Sequence, residues 1–226
     1  DRQAWSFGEV AGLVVTDDVT AIAVDRAASQ IVALPAGRAP QVLCGAADGA
    51  TGFWGDDLPA SASALDQPAG IARDRVSGVL YVADAGNRRI RHFIPGGRIY
   101  TLAGGGPDAA ADVPDAQDAQ LGTVQALALD AQGRTVFTEA DTGRLRRVRA
   151  DGALETLLTI GPGLGVLAVA AAGDHGWVAI GDRVERVALG AEPALLPVAS
   201  FAGKGITGLA FDELDTLYVA TADASG

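Results

Sequence analysis

The chain has 226 residues, a formal net charge of −11, one cysteine, no methionine and thirty glycines. A single cysteine, Cys44, excludes an internal disulfide framework and any multi-cysteine zinc site. The excess of acid argues against binding a phosphate backbone with the whole surface, and no apolar run reaches the roughly 18–20 residues that span a bilayer. Apolar residues make up 49% of the chain but aromatics only 5%. The apolar content is therefore mostly Ala, Val and Leu, which with so much glycine suits short strands and frequent turns.

In chain order, four small-and-apolar runs close on an aspartate: AGIARD (69–74), VQALALD (124–130), LAVAAAGD (167–174) and TGLAFD (207–212). GLVVTDD (12–18) is a looser fifth copy. Each is followed within a few residues by a second apolar run: AIAV (21–24), VLYVA (79–83), TVFT (135–138), WVAI (177–180) and LYVA (217–220). Four copies continue with a third element, QIVAL (30–34), RIRHF (89–93), RLRRV (144–148) and RVERV (183–187). They end on a fourth, QVLCG (41–45), IYTLAG (99–104), LETLLTI (154–160) and PVASFAG (197–203). Every element is short, rich in β-branched or aliphatic residues and bounded by Gly, Asp or Pro, as strands are. The closing aspartates recur at intervals of 56, 44 and 38 residues. Repeats of that length with four strands each predict propeller blades.

The second copy, PAGIARDRVSGVLYVADAGNRRIRHFIPGGRIYTLAG (68–104), resembles an NHL repeat almost position for position. GFWGDDLPASASALDQP (52–68) resembles the loop that precedes such repeats in many bacterial NHL proteins. The third copy, 121–160, keeps the pattern with Thr142 in place of the turn Asn. The expected fold is all-β, a β-propeller of four-stranded antiparallel blades, with five blades or as part of the six-bladed ring common among relatives. The blades are expected near 9–45, 65–104, 121–160, 164–203 and 206–226, the last completed by 1–8, where AWSFG (4–8) looks like an outer strand. The start at Asp1 without methionine is read as a processed or excised segment.

In such a blade the loops between blades (D–A) and the B–C turns emerge on one face. The two longest connections, 46–68 and 105–123, are both D–A inserts, and long loops in compact domains tend to carry function. That face is the candidate partner surface, with Phe53, Trp54, Asp56, Asp57, Asp84, Asn87, Asp108, Asp112, Glu139 and Asp141 as its candidate residues. Two readings stand side by side for several of them. Asp84 and Asn87 fit a turn in which Asp accepts backbone N–H bonds and Asn takes a left-handed conformation. Phe53 and Trp54 suit a partner contact, or an anchor for the insert. LPASASAL (58–65) suits one helical turn. The insert acids raise the question of calcium, yet no EF-type spacing is present, and solvated acidic loops are the default.

Arg88, Arg89, Arg91, Arg144, Arg146, Arg147 and Arg149 form a stripe on two third strands. It suits either an anionic partner, as in RNA-binding NHL propellers, or pairing with neighbouring acids, which the net charge favours. No nucleophile elbow, P-loop or H-E-x-x-H is present, and His92 and His175 are expected on opposite sides of the fold. The function expected is a non-enzymatic module, without cofactor, that binds a protein, peptide or glycan. The alternatives are a calcium-dependent lactonase or hydrolase with its site in the central channel, weakened because Asn87 is the only Asn, and the RNA-binding propeller. The expected compartment is extracellular or cell-envelope, and the chain is expected to be part of a larger protein or assembly.

Overall fold

A computed structural model of the chain describes residues 6–18, 20–169, 175–190, 193–211 and 216–223. Its strands form four antiparallel four-stranded sheets and one two-stranded sheet. The first contains β1 (Val10–Val15), β2 (Ala21–Asp25), β3 (Gln30–Leu34) and β4 (Gln41–Cys44); the second β5 (Ile71–Arg73), β6 (Leu80–Asp84), β7 (Arg89–Phe93) and β8 (Ile99–Ala103). The third contains β9 (Val124–Leu129), β10 (Thr135–Glu139), β11 (Arg144–Val148) and β12 (Leu154–Thr159). The fourth contains β13 (Leu164–Val169), β14 (His175–Ile180), β15 (Arg183–Ala188) and β16 (Leu195–Ser200), and β17 (Lys204–Phe211) pairs with β18 (Leu217–Asp223).

Within each sheet the strands pair in sequence order, and the first strands of successive sheets touch one another. This is the propeller arrangement: blades stacked side by side around the inner strands. The strand alternation explains why the blades stack. In β6, Leu80 and Val82 point to one neighbouring blade while Tyr81 and Ala83 point to the other, as the two-residue period of a strand requires. Three apolar clusters result, one between each pair of adjacent four-stranded blades.

All four sheets share one irregularity. The pairing of third and fourth strands slips at Ile31/Val32, Ile90/Arg91, Leu145/Arg146 and Val184/Glu185. The extra residue lies on the outer strand, at Leu43, Leu102, Leu157 and Val198. A bulge at a fixed register twists an outer strand and re-aims the side chains beside it.

Asp74 and Asp130 cap the turns between first and second strands (A–B turns). Asp74 accepts from the Val76 N–H and the Ser77 hydroxyl, and Asp130 from the N–H groups of Gln132 and Arg134. Asp174 and Asp212 lie outside the described residues, as do Ala4 and Trp5 of AWSFG; Ser6, Phe7 and Gly8 are not in a strand. His175 opens β14 and His92 lies on β7. No helix among the described residues is long and apolar enough to cross a membrane.

Candidate functional site

The two inserts do the same thing in successive blades: each lies along the outer strand of the blade that follows it. In the first, Ala60–Ala62 form a single 3-10 turn, within the stretch where a helical turn was expected. The Asp57 N–H donates to the Ile99 carbonyl, the Ile99 N–H to the Leu58 carbonyl, and the Ala60 N–H to the Gly97 carbonyl. In the second, Ala116–Asp118 form the matching turn. Val113 exchanges backbone hydrogen bonds with Leu154, and the Ala116 N–H donates to the Gly152 carbonyl. The turn alanines, Ala60 and Ala116, also accept from the Gly45 and Gly104 N–H groups of the preceding blade. Each insert is thus a wedge between two blades, sealed by Leu65 in one case and Leu121 in the other, both fully buried. Burying one such leucine contributes about 1.5–3 kcal/mol.

A buried arginine secures each wedge. Arg91, beside the bulge of the second sheet, donates from Nη2 to Asp56 at 2.7 Å and from Nη1 to the Ala64 carbonyl at 2.9 Å. Its Nη1 also lies 3.9 Å from Asp84. Arg146, at the same register in the third sheet, donates to the carbonyls of Ala110 and Ala111 and to Glu139 at 3.2 Å. Burial pulls its guanidinium below the usual arginine range, against the opposing pull of Glu139. Thr101 and Thr156 face these arginines across the bulge and hold the inserts too. The Thr101 hydroxyl donates to Asp56, and the Thr156 hydroxyl to Ala111. Sheets one and four carry Val32 and Glu185 at this register, and sheet four follows only a short connection from β12 to β13. The arginine occurs where there is an insert to hold.

Arg91 and Arg146 are fully buried and Arg147 nearly so; Arg147 donates to Glu155 at 2.6 Å and to the Leu189 carbonyl. The stripe is thus divided. Its interior members are ion-paired within the fold, and the surface members include Arg88 and Arg89.

Acids at the ends of the second strands (Asp25, Asp84) or in the turn just after (Asp141) lock D–A entries to B–C turns. Asp25 accepts from the Gly8 and Ala28 N–H groups, Asp84 from the Asp66 N–H at 2.7 Å, and Asp141 from the Thr123 N–H at 2.8 Å. Burial pushes the Asp84 carboxyl up to about 6, although the Asp66 and Asn87 hydrogen bonds and Arg91 pull the other way. Asn87 donates to both Asp84 and the Gly52 carbonyl, at 2.8 Å each, tying the first insert to the turn. The left-handed residue is not Asn87 but Arg88, at φ +52. The Asn87 amide is committed to the bridge, and the turn inverts one residue later, where the third sheet has Gly143 at φ +63.

The predicted residues therefore fall into three groups. Asp84, Asn87, Glu139 and Asp141 sit together at the B–C turns. Asp56, Asp57 and Asp112 line the outer edge of the blades, where Asp57 accepts from the Tyr100 hydroxyl and Asp112 from the Thr156 N–H. Phe53 and Trp54 stay 41% and 46% exposed on the first insert. Asp108 is exposed on the second insert and accepts from the Ala110 N–H. No group of three His, Cys, Asp or Glu side chains converges among the described residues in a way that would hold a metal ion. A separate cavity of about 1010 Å³ follows the inner strands and opens among the A–B turns, on the face opposite the inserts. Leu13, Ile71, Leu127, Val169 and Phe211 line its walls, with Arg73, Arg75, Asp130 and Gln132 toward the mouth.

Residues 65–93, which run from Leu65 through β7, match the NHL repeat family model. The chain is a β-propeller with a sequence match to the NHL repeat in its second blade. No curated protein matches its sequence. Among solved structures, this chain is similar to virginiamycin B lyase from Staphylococcus aureus at 13% identity and a TM-score of 0.65, covering 93% of this chain and 62% of that one. A candidate gluconolactonase matches at 16% identity and a TM-score of 0.73, over 99% and 75% of the two chains. A chain of a nidogen–laminin complex matches at 15% and 0.66, over 94% and 72%. At such identities the likeness is one of fold alone, and it joins two enzyme descriptions to a protein–protein assembly. The chain spans less than two thirds of the lyase's length.

Proposed function

We propose that this chain is a non-enzymatic interaction module, with no cofactor, that presents the face of its D–A inserts and B–C turns to a protein, peptide or glycan partner. The observation that carries this reading is the pairing of two half-exposed aromatics, Phe53 and Trp54, with a backbone fixed on both sides. The Gly52 carbonyl accepts from the Asn87 amide and the Gly52 N–H donates to the Leu65 carbonyl, while Asp57 and Leu58 are tied to Ile99. Aromatics displayed on an already ordered backbone bind without a large ordering cost, the property that makes them interface hot spots. The mechanism is rigid display, with specificity carried by loops on a fixed scaffold. An extracellular or cell-envelope home belongs to this reading.

A second reading has one observation of its own. The cavity lined by the inner strands is large enough for a small substrate, which favours a lactonase- or hydrolase-type site in the channel, with calcium as the metal such a site would recruit. The experiment that separates the two is a peptide and glycan array probed with the chain, with Phe53→Ser/Trp54→Ser, and with Arg75→Gln/Gln132→Ala. The display reading expects hits weakened at least about tenfold by the first pair and untouched by the second. Hits lost only with the second pair, or turnover of any arrayed compound, would overturn it.

A further inference from the structure

Asp84 and Glu139 end the second strands of neighbouring blades, and both are fully buried. Their cations are placed differently. Arg146 stands 3.2 Å from Glu139, and its other hydrogen bonds go to the carbonyls of Ala110 and Ala111. Arg91 stands 2.7 Å from Asp56 but 3.9 Å from Asp84, so the insert carboxylate takes the close contact. A third acid, Asp66, lies across Gly86, where its carboxylate would collide with a Cβ, and its negative charge bears on Asp84. The Cys44 thiol of β4 also faces Asp84 but, pushed up to about 11, stays neutral. Arg89, opposite Asp84 in register, turns its guanidinium to the Phe53 ring and the Asn87 carbonyl. Asp84 is thus a buried carboxylate whose charge is only partly balanced, and such a group takes up a proton readily.

The proton has one place to go. Asp84 Oδ1 accepts from the Asp66 N–H at 2.7 Å, a main-chain donor that cannot reverse its role. Oδ2 accepts from the Asn87 amide nitrogen at 2.8 Å, and the same nitrogen donates to the Gly52 carbonyl at 2.8 Å. We propose that Asp84 is an acid switch for the first insert: its charged form holds the Asn87 amide on the Gly52 carbonyl, and protonation at Oδ2 turns that amide over and releases the carbonyl. A hydroxyl at Oδ2 faces the Asn87 NH2 donor to donor. Turning the amide over lets the Asn87 oxygen accept from the hydroxyl, but sets that oxygen against the Gly52 carbonyl. The peptide set free is the one that leads into Phe53, next to Trp54. Linkage gives the same sign. Burial raises the Asp84 carboxyl and the Asn87 hydrogen bond lowers it, so the proton in turn weakens the Asn87 bond. Acid stabilises the fold through the burial of Asp84 and loosens this one tie. The switch stands on this geometry alone; on the interaction-face reading, it weakens a partner held by Phe53 and Trp54 as pH falls.

The test is NMR of the ¹⁵N,¹³C-labelled chain from about pH 7.5 to about 4.5. The Asp84 Cγ and Asn87 side-chain amide signals are expected to move together, with one midpoint at about 6. Protection of the Gly52 N–H, corrected for the intrinsic exchange rate, should fall about fivefold through that midpoint, the worth of one hydrogen bond. The Gly106 N–H, which donates to the Ala119 carbonyl in the second insert, is the control and should hold constant. Asn87→Ala should give low Gly52 protection at every pH and raise the Asp84 midpoint. Asp84→Asn should give the same low protection, since its own NH2 faces Asn87. Asp66→Asn should lower the midpoint and keep the switch. Gly52 protection that stays constant while Asp84 titrates would overturn the proposal, as would a pH-dependent loss that survives Asn87→Ala. Asn87 is a half-buried turn residue, so that variant decides the matter even where Asp84→Asn fails to fold. Either negative result leaves the interaction face to its own test, the array with Phe53 and Trp54 changed.

Discussion

The Arg91 guanidinium and the Asp56 carboxylate meet at 2.7 Å across the seam between the first insert and the outer strand of its blade. Through Arg91 that contact continues to Asp84, and through Asp84 to the Asp66 N–H. Insert, outer strand, B–C turn and blade entry are therefore one electrostatic unit. Arg91→Ala is expected to destabilise the chain by about 3–5 kcal/mol, because it leaves Asp84 charged and buried without its cation. Arg91→Ala combined with Asp84→Asn should cost less than the single change. Urea unfolding of the three proteins checks this.

Asp84 also sets a pH dependence with a defined sign. Its folded-state carboxyl titrates near 6 against an ordinary value of 3.8, so the folded state binds the proton more tightly than the unfolded one. Its contribution to stability is fully present below about pH 4 and is lost as pH rises through about 6. Relative to Asp84→Asn, the wild-type chain should lose roughly 2–3 kcal/mol between pH 4 and 7. The difference between the two unfolding free energies, measured across that range, should fall as pH rises; a flat or rising difference would contradict the burial assigned to Asp84.

Much of this was legible in the sequence, and the boundary is instructive. QIVAL, RIRHF and RLRRV are the third strands to the residue, because the strand period and the bounding Gly and Asp are local signals. The aspartates of the turns were legible for the same reason. The role of Arg91 was not. Its partners, Asp56 and the Ala64 carbonyl, lie 35 and 27 residues away, and only the folded path of the insert brings them together. The anchors of the inserts were also hidden: Ala60, Leu65, Ala116 and Leu121 look ordinary in sequence, whereas Phe53 and Trp54 draw the eye and remain half exposed. One signal was available in retrospect: an arginine at the same place in β7 and β11, each following a long insert, and absent from β3 and β15.

Gly45 and Gly104 stand where each outer strand turns into an insert, at φ +100 and +88. A Cβ there would overlap the Ser29 and Arg88 carbonyl oxygens respectively, whereas at Gly37, φ +74, it would meet nothing. Gly37→Ala is expected to cost about 1 kcal/mol from the backbone alone, and Gly45→Ala or Gly104→Ala at least twice that. Thermal melting of the three variants provides the comparison.

Cys44 is buried beside Ser63 in the first wedge, and burial pushes its thiol up to about 11. It should resist a thiol reagent at neutral pH while the blade is folded and react at a rate set by opening of the insert. Arg91→Ala should speed that reaction, and labelling kinetics in the two proteins would show it. Rapid labelling of the wild-type chain would mean that the wedge does not seal the seam.

Calcium separates the two functional readings thermodynamically. A ligand that binds the folded state raises the melting temperature in proportion to its occupancy. The display reading expects the same melting temperature in millimolar calcium and in EDTA. A rise of several degrees with calcium would move the channel reading to first place.

The most direct test of the interaction face is the hydrogen-exchange footprint of a peptide or glycan hit from the array. New protection is expected at residues 52–57, 84–89 and 105–108, with the A–B turns unchanged. Protection confined to 73–76 and 130–133, at the mouth of the central cavity, would contradict it.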